Sequence, residues 1–137
     1  MITRKAEYAI IILTELASHP RGTILTSKQI SKNRSIPVNL VVQLLAVLKK
    51  AGWTTGIRGP AGGVILEQDP GKINLREVIE IIDGPIGITR CLFRDRPCHD
   101  RSHCSLRGVW AKAQQHMLNV LEGVTIQELA DSTANDC

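Results

Sequence analysis

A glycine-rich stretch near the middle of this 137-residue chain separates two short runs of strand-like residues. The stretch is Arg58-Gly59-Pro60-Ala61-Gly62, and the runs span 53–57 and 63–67. Gly and Pro between two such runs predict a β-hairpin with a tight tip. Aromatic residues make up only 3% of the chain, so its core must consist of Ile, Leu, Val and Ala. Such cores are typical of packed helices, and we expect a mainly α fold with one small hairpin.

Three helices are predicted before the hairpin. Apolar residues recur every three or four positions from Thr3 to about Ser18, which indicates a first helix. The sequence Thr26-Ser27-Lys28-Gln29 forms a capping box and begins a short second helix. Pro37 suits a first helical turn and opens a third helix that runs to Gly52. Helix, short helix, turn, longer helix and hairpin is the element order of a winged helix-turn-helix.

The chain after the hairpin predicts two longer helices and a loop. A second capping box at 74–77 opens a helix that ends at Asp83, and residues 86–104 lack periodicity. A long helix from Ser105 to Gly123 carries an apolar stripe, and 125–128 caps one last turn. The stripe consists of Leu106, Val109, Trp110, Ala113, Met117, Val120 and Leu121. We divide the chain into a winged helix-turn-helix module at 1–83, a cysteine-bearing loop at 84–104, a long helix at 105–130 and a disordered tail at 131–137.

Charge is unevenly distributed along the chain. Residues 1–67 hold nine Lys or Arg against three acids, net +6, and residues 68–137 have net charge −2. A basic half predicts an anionic partner such as nucleic acid, although a solvated basic face produces the same bias. No apolar run reaches the length of about 20 residues that a membrane-spanning helix needs. The amino terminus lacks a signal-peptide cleavage site, so we expect a cytoplasmic protein.

The start of the third helix is the candidate for reading base sequence. In a winged helix-turn-helix this helix enters the major groove, and side chains near its amino end contact base edges. Pro37 lies at that end. Asn39 and Gln43 are four residues apart and share a helical face, and each amide can bond adenine bidentately. The alternative is that both are ordinary polar residues on a solvated helix, and the hairpin favours the DNA-reading interpretation.

Further candidate DNA contacts lie on either side of that helix. Arg58 is the one charged residue at the hairpin tip, where Gly59 and Pro60 shape the backbone. A narrow minor groove attracts such an arginine. Ser27 and Lys28 begin the second helix and can position the module on phosphates, which supply affinity without sequence information.

Three cysteines lie in the predicted loop, at positions 91, 98 and 104. A structural zinc site usually pairs ligands two to four residues apart, and Cys91, Cys98 and Cys104 contain no such pair. Three thiolates spaced along a loop can hold an iron–sulfur cluster and leave one iron for a different ligand. The alternative is three metal-free, redox-active thiols. Cys137 lies in the polar tail and is interpreted as a bystander.

Four segments in this order resemble one known family. Val47–Gly52, Ile57–Gly63 and Asp83-Gly84-Pro85, followed by the three loop cysteines, are similar to the winged-helix iron–sulfur transcription regulators of the IscR, NsrR and RirA type. The resemblance extends from Ile2 to about Ala130. It implies a homodimeric repressor that binds a palindromic double-stranded DNA operator.

The resemblance also assigns roles to residues. Arg58 matches the wing arginine that reaches the minor groove, and Cys91, Cys98 and Cys104 match the cluster ligands. The segment 105–130 matches the helix that pairs two subunits, although the same stripe can instead pack within its own subunit. An enzyme is not expected, because the chain has no Cys-x-x-Cys pair and no phosphate-binding loop.

The sequence departs from the family at the fourth cluster ligand. IscR-type proteins have a His three residues after the last cysteine, and this chain has Arg107 there. NsrR-like relatives use an acid from the first helix of the partner subunit, and Glu7 matches that position. Glu7 as an exposed helix acid is the alternative, and His99 and His103 compete as ligands. The first gap holds six residues where the family usually has five, so the choice between 2Fe-2S and 4Fe-4S stays open.

Two functions remain for the cysteine loop. The first is a regulator that senses redox state, nitric oxide or iron status through an iron–sulfur cluster. The second is a metal-free thiol regulator on the same fold that responds to redox state or sulfide. The position where IscR reads bases with a Glu is Val42 here, so the operator sequence does not follow from the resemblance.

Overall fold

The computed structural model describes residues 2–89, 92 and 105–132. These residues form six α-helices and one antiparallel hairpin, which confirms the predicted mainly α fold with a small hairpin. No helix in this part of the chain is long and apolar enough to cross a membrane. The elements are α1 (Arg4–Ala17), α2 (Ser27–Arg34), α3 (Val38–Lys50), β1 (Thr54–Ile57), β2 (Gly63–Leu66), a short 3-10 helix (Pro70–Lys72), α4 (Leu75–Asp83), α5 (Ser105–Glu122) and α6 (Ile126–Ser132).

Local capping signals place the helix starts. Both predicted capping boxes are present, at the start of α2 and of α4. Pro37 is the residue before α3 rather than its first helical residue, because its ψ of 133° is extended. The prediction that Pro37 lies inside the first turn is therefore wrong by one position. Its carbonyl still accepts from the backbone N–H groups of Leu40 and Val41, at 3.0 and 3.1 Å.

The hairpin gains a third backbone partner that the sequence did not indicate. Thr54 pairs with Leu66 and Ile57 with Gly63 across β1 and β2. Leu25, just before α2, exchanges two backbone hydrogen bonds with Val64, at 3.0 and 2.7 Å. A single bridging residue carries no periodicity of its own. These bonds fix the hairpin against the amino-terminal end of α2.

An aliphatic core holds the helices together, as the scarcity of aromatic residues predicts. Helix α1 packs against α2, α3, α4 and α6. Trp53, directly before β1, is 6% exposed and joins the core from the hairpin side. The fully buried side chains include Ile12, Leu13, Ile30, Val41, Leu48, Ile73, Val78 and Ile126.

The segment 105–130, assigned above to one long helix, contains two helices, which agrees with the predicted helix end at Gly123 and the predicted capped turn at 125–128. The backbone N–H of Gly123 ends α5 by donating to Asn119 O at 3.1 Å, and Thr125 Oγ1 begins α6 by accepting from Glu128 N at 3.2 Å. Helix α6 then packs on α1 with Ile126 fully buried. The second helix therefore belongs to the core of the amino-terminal module.

The predicted start of the tail at Asp131 is also wrong. Helix α6 continues through Ser132, since the Gln127 amide donates to the Asp131 carboxylate at 2.8 Å and the Ser132 hydroxyl donates to Glu128 O at 2.9 Å. Residues 133–137, with Cys137, lie outside the described residues.

A buried carboxylate connects α1 to the turn between α2 and α3. Glu15 is 7% exposed and accepts hydrogen bonds from Arg34 Nε at 2.7 Å and Asn33 Nδ2 at 3.0 Å, and His19 Nε2 lies 3.0 Å away. Burial by itself raises the pKa of the Glu15 carboxyl, but hydrogen bonds from Arg34, His19 and Asn33 outweigh it and hold that pKa below its ordinary value. Ser35, directly after Arg34 at the end of α2, turns the chain with a φ of 54°.

Replacing Glu15 tests this connection. A carboxyl whose pKa is lowered by folding stabilises the protein above its unfolded pKa of about 4.3, and that contribution is lost as the pH falls through the lower folded value. We expect Glu15→Gln to reduce the free energy of unfolding by about 1–3 kcal/mol at neutral pH. The deficit should shrink as the pH falls below about 4. Urea denaturation of the wild type and of Glu15→Gln, at neutral pH and again below a pH of about 4, measures the difference in the free energy of unfolding.

The exposed acid Glu128 supplies the control. Glu128→Gln should change the free energy of unfolding by less than about 0.5 kcal/mol. A Glu15→Gln variant as stable as the wild type at neutral pH would contradict the role given to the buried carboxylate.

Candidate nucleic-acid interface

Helix α3 turns one face to the core and another to solvent. Val41, Leu44 and Leu48 are buried. The predicted base-reading residues Asn39 and Gln43 are both exposed. Pro37, Val38 and Val42 are also exposed, with Val38 at 43% and Val42 at 53%. Amides and aliphatic side chains together match the donors, acceptors and thymine methyl groups of a major groove.

The hairpin tip projects an arginine on a backbone that requires glycine. Arg58 is exposed and makes no side-chain hydrogen bond or ion pair to any residue that the structure describes. Gly59 has φ of +106°, a conformation that strongly favours glycine. The Gly62 N–H donates to Gly59 O at 2.9 Å, and a Cβ on Gly62 would lie 2.1 Å from Ile57 O. Pro60, at the turn, is exposed.

The start of α2, the carboxy-terminal part of α3 and the hairpin share one cleft of about 360 Å³. Ser27, Val42 and Gly59 each contribute to its lining. Lys28 follows Ser27 and is exposed. Of the predicted DNA contacts, Ser27 and Gly59 line this cleft, and Val42, which also lines it, is adjacent to Gln43.

The predicted cluster ligands Cys91, Cys98 and Cys104 lie outside the described residues, as do His99 and His103. Within the described ranges, no group of three or more His, Cys, Asp or Glu side chains could hold a metal ion. The structure does describe the first residues of the cysteine-bearing loop at 84–104, here called the cysteine segment.

Asp83, directly before the cysteine segment, accepts hydrogen bonds from the residue that begins the first helix. The Thr3 N–H donates to Asp83 Oδ2 at 3.0 Å, and the Thr3 hydroxyl donates to Asp83 Oδ1. Thr3 is also the N-cap of α1, where its Oγ1 accepts from Ala6 N at 3.2 Å. Glu7, in the first turn of α1, is exposed. The candidate carboxylate thus lies one helical turn from the residue that holds the end of α4.

An orphaned donor lies on the inner face of α5. Gln114 Oε1 accepts from the Ile88 backbone N–H at 2.9 Å, and Leu118 is 6% exposed. Arg107 is seven residues before Gln114 and shares its face. Its Nε is buried and has no acceptor among the described residues. The sequence identified Arg107 only as a departure from the family pattern, because an unpaired buried atom has no sequence signal.

The predicted apolar stripe of α5 points mainly outward. Leu106, Val109 and Val120 are 51%, 59% and 66% exposed. Leu118, which the predicted stripe did not include, is the one buried residue of the helix. The alternative in which the stripe packs within its own subunit is therefore wrong for the three exposed residues.

Comparison with known proteins agrees with this architecture. A family model described as an iron-dependent transcriptional regulator, Rrf2, matches residues 2–132. The chain belongs to the Rrf2 family. An rrf2-like HTH-type transcriptional regulator of Rhodobacter capsulatus is 33% identical over 94% of this chain and 91% of its own length. The HTH-type transcriptional regulator IscR of Xenorhabdus nematophila is 28% identical over 93% and 77%.

A solved structure supports the Rrf2 assignment. CymR (YrzC), described as the global cysteine regulator of B. subtilis, superimposes with a TM-score of 0.78 at 26% identity, covering 99% of this chain and 98% of that one. The predicted winged-helix fold and the predicted class, a DNA-binding transcriptional regulator rather than an enzyme, are confirmed.

The shape of the hairpin tip in this Rrf2 protein can be tested through glycine. In Gly62→Ala the added methyl group must displace the Ile57 carbonyl, so we expect the free energy of unfolding to fall by about 1–3 kcal/mol. Gly56 lies in the same hairpin with no atom within 4 Å of its hypothetical Cβ. Gly56→Ala should stay within about 1 kcal/mol of wild type in the same denaturation experiment. Equal stability of the two variants would contradict the tip geometry.

Proposed function

We propose that this Rrf2-family regulator is a cytoplasmic homodimeric repressor whose DNA affinity responds to an iron–sulfur cluster. The DNA-binding part of this proposal rests on one observation. Residues from the start of α2, from helix α3 and from the hairpin line a common cleft. Helix α3 enters the major groove and the hairpin tip enters the adjacent minor groove. The signal is redox state, nitric oxide or iron status.

Each predicted DNA contact has a role in this arrangement. Asn39 and Gln43 read base edges from the exposed face of α3, next to Pro37. Arg58 reaches the minor groove from a tip shaped by its glycines and Pro60. Ser27 and Lys28 contact phosphates, which fix the orientation of the module without reading sequence.

The exposed stripe of α5 supports a homodimer. Leu106, Val109 and Val120 are each more than half exposed, and aliphatic residues arranged along one helix are typical of a surface that pairs with another protein. Two copies paired through α5 present two α3 helices with two-fold symmetry. Such a dimer binds a palindrome with half-sites one or more helical turns apart.

The residues present fit a cluster. Cys91, Cys98 and Cys104 would supply three thiolates, and Glu7 of the partner subunit would supply the fourth ligand. Glu7 is exposed, and the buried Nε–H of Arg107 has no acceptor among the residues that the structure describes; both features fit an anionic group beside α5. When bound, an iron–sulfur cluster supplies one-electron redox chemistry and iron that can react with small molecules. The Arg107 guanidinium has N–H donors and no acceptor, so it donates a hydrogen bond and does not bind iron.

A continuous set of contacts connects the cysteine segment to the DNA-binding face. Asp83, directly before the segment, accepts hydrogen bonds from Thr3 at the start of α1. The other end of α1 carries Glu15, which holds Arg34 beside the turn into α3. A change in the segment can thereby reorient α3. Coupling of this kind is typically about 1–3 kcal/mol.

A metal-free thiol regulator is the second candidate. It is favoured by the likeness to CymR, described as a global cysteine regulator, at 26% identity over nearly the whole chain. In this alternative Cys91, Cys98 or Cys104 responds through disulfide or persulfide chemistry on the same fold.

Anaerobic purification followed by an absorption spectrum and iron and sulfide analysis separates the two candidates. The cluster proposal predicts absorption at roughly 300–450 nm and about two or four irons per chain. Protein that stays colourless and iron-free after reconstitution with iron and sulfide would contradict it and favour the thiol regulator.

The fourth ligand is tested by Glu7→Ala. Glu128 supplies a matched control, because it is also an exposed acid in the first turn of a helix. We expect the cluster absorption of Glu7→Ala to bleach faster in air than that of wild type, since one iron loses its protein ligand. Glu128→Ala should bleach at the wild-type rate. Equal bleaching rates for all three proteins would remove Glu7 from the ligand set.

A further inference from the structure

Helix α5 has an inner face that packs against its own subunit and carries two polar side chains. Arg107, Trp110 and Gln114 are half-buried and Leu118 is buried, and their spacings of three and four residues describe one side of the helix. On this side α5 contacts α4. We call these four residues the inner face of α5. Because apolar contacts explain only two of them, the polar pair Arg107 and Gln114 requires an account of its own.

Gln114 shows which part of the chain this face contacts. Its Oε1 accepts a hydrogen bond from the backbone N–H of Ile88 at 2.9 Å, and Ile88 belongs to the cysteine segment. Arg107 lies seven residues earlier on the same face, about 10 Å away along the helix axis. It is in the first turn of α5, which directly follows Cys104 in the chain. The inner face is therefore bonded to the beginning of the cysteine segment and continues directly from its end.

Unlike Gln114, Arg107 has no partner among the described residues for its buried donor. Its Nε is buried and finds no hydrogen-bond acceptor there, and its guanidinium forms no ion pair with any residue that the structure describes. Buried donors are normally satisfied, and an unpaired donor on a charged group is especially costly. The Arg107 Nε–H is thus available to an acceptor outside the described residues.

The proposed iron–sulfur cluster has the chemistry of such an acceptor. A guanidinium is cationic and only donates hydrogen bonds, so its preferred partner is an anion. A cluster bound by three thiolates and a carboxylate is anionic, and its sulfur atoms accept hydrogen bonds. The cysteine segment itself would carry the cluster. The acceptor would therefore be buried together with the inner face of α5 and would not need to enter from solvent to reach Nε.

We propose that Arg107 donates a hydrogen bond from Nε to a sulfur atom of the cluster and thereby raises the reduction potential of the cluster. The inference rests on the proposed cluster function and adds a residue that adjusts the cluster without binding iron. One-electron reduction converts a ferric iron to ferrous and makes the cluster more negative, and dithionite supplies the electron in the experiment below. A cation and a hydrogen-bond donor beside the cluster stabilise this more negative state.

Anaerobic redox titration of the reconstituted protein with dithionite, followed by the visible absorption of the cluster, measures this effect. Arg107→Met removes the cation and the donor but keeps a long side chain, so the cluster should become harder to reduce. At the wild-type midpoint potential, the ratio of reduced to oxidised cluster should fall about tenfold, which for one electron is a shift of about 59 mV to more negative potential. The iron content per chain should equal that of wild type, because Arg107 is not a ligand.

Lys112→Met is the matched control, because Lys112 is an exposed cation of the same helix and lies outside the inner face. Its midpoint potential should equal that of wild type. Arg107→Lys keeps a cation and a donor and should give a midpoint between those of Arg107→Met and wild type. Urea denaturation of the cluster-free protein separates this role from a structural one. Arg107→Met removes an unpaired buried N–H, so its cluster-free form should be at least as stable as wild type.

The outcomes separate this inference from the cluster function on which it rests. Wild-type protein that binds no iron after reconstitution would overturn both. A cluster-loaded wild type whose midpoint equals that of Arg107→Met, or an equal shift in Lys112→Met, would overturn the inference alone. Loss of the cluster from Arg107→Met with an intact fold would also overturn it, because Arg107 would then hold the cluster rather than adjust its potential. A more negative midpoint in Arg107→Met only would support it.

Discussion

The carboxylate of Glu15 lies inside the protein, where a charge is stable only if it is paired and hydrogen-bonded. Its partners Arg34 and Asn33 lie at the end of α2, and His19 lies just after α1. The position of the turn before α3 therefore depends on one buried charge. The exposed face of α3 is useful for reading DNA only when that turn is held, so the DNA-binding surface depends on this interaction.

The same helix extends this constraint to the cysteine segment. At its amino end, α1 is capped by Thr3, which donates two hydrogen bonds to Asp83. Helix α6 packs on α1 and brings Ile126 into the same core. Helix α1 is thus the element that contacts both the turn before α3 and the residue directly before the cysteine segment. A regulator that transmits a signal between these regions needs such a rigid connection.

Local signals made much of this structure predictable. The capping boxes, the amphipathic faces and the glycine-rich tip are encoded within a few residues, and the motif order identified the family. Features that join distant residues were missed, namely the Leu25–Val64 bridge and the return of α6 to α1. Such features arise from tertiary packing, which a periodicity along the chain does not record. The exposed positions of Asn39, Gln43 and Arg58 agree with the sequence prediction, and their DNA contacts remain proposals.

The central claim is that the cluster controls DNA affinity, and comparing operator binding by the cluster-loaded and cluster-free protein tests it most directly. An operator selected from random duplexes would be titrated with both forms under anaerobic conditions at one salt concentration. The account predicts affinities that differ by about 5- to 150-fold, the range of typical allosteric coupling. Equal affinities of the two forms would contradict it and leave a DNA-binding protein whose cysteines do not regulate it through a cluster.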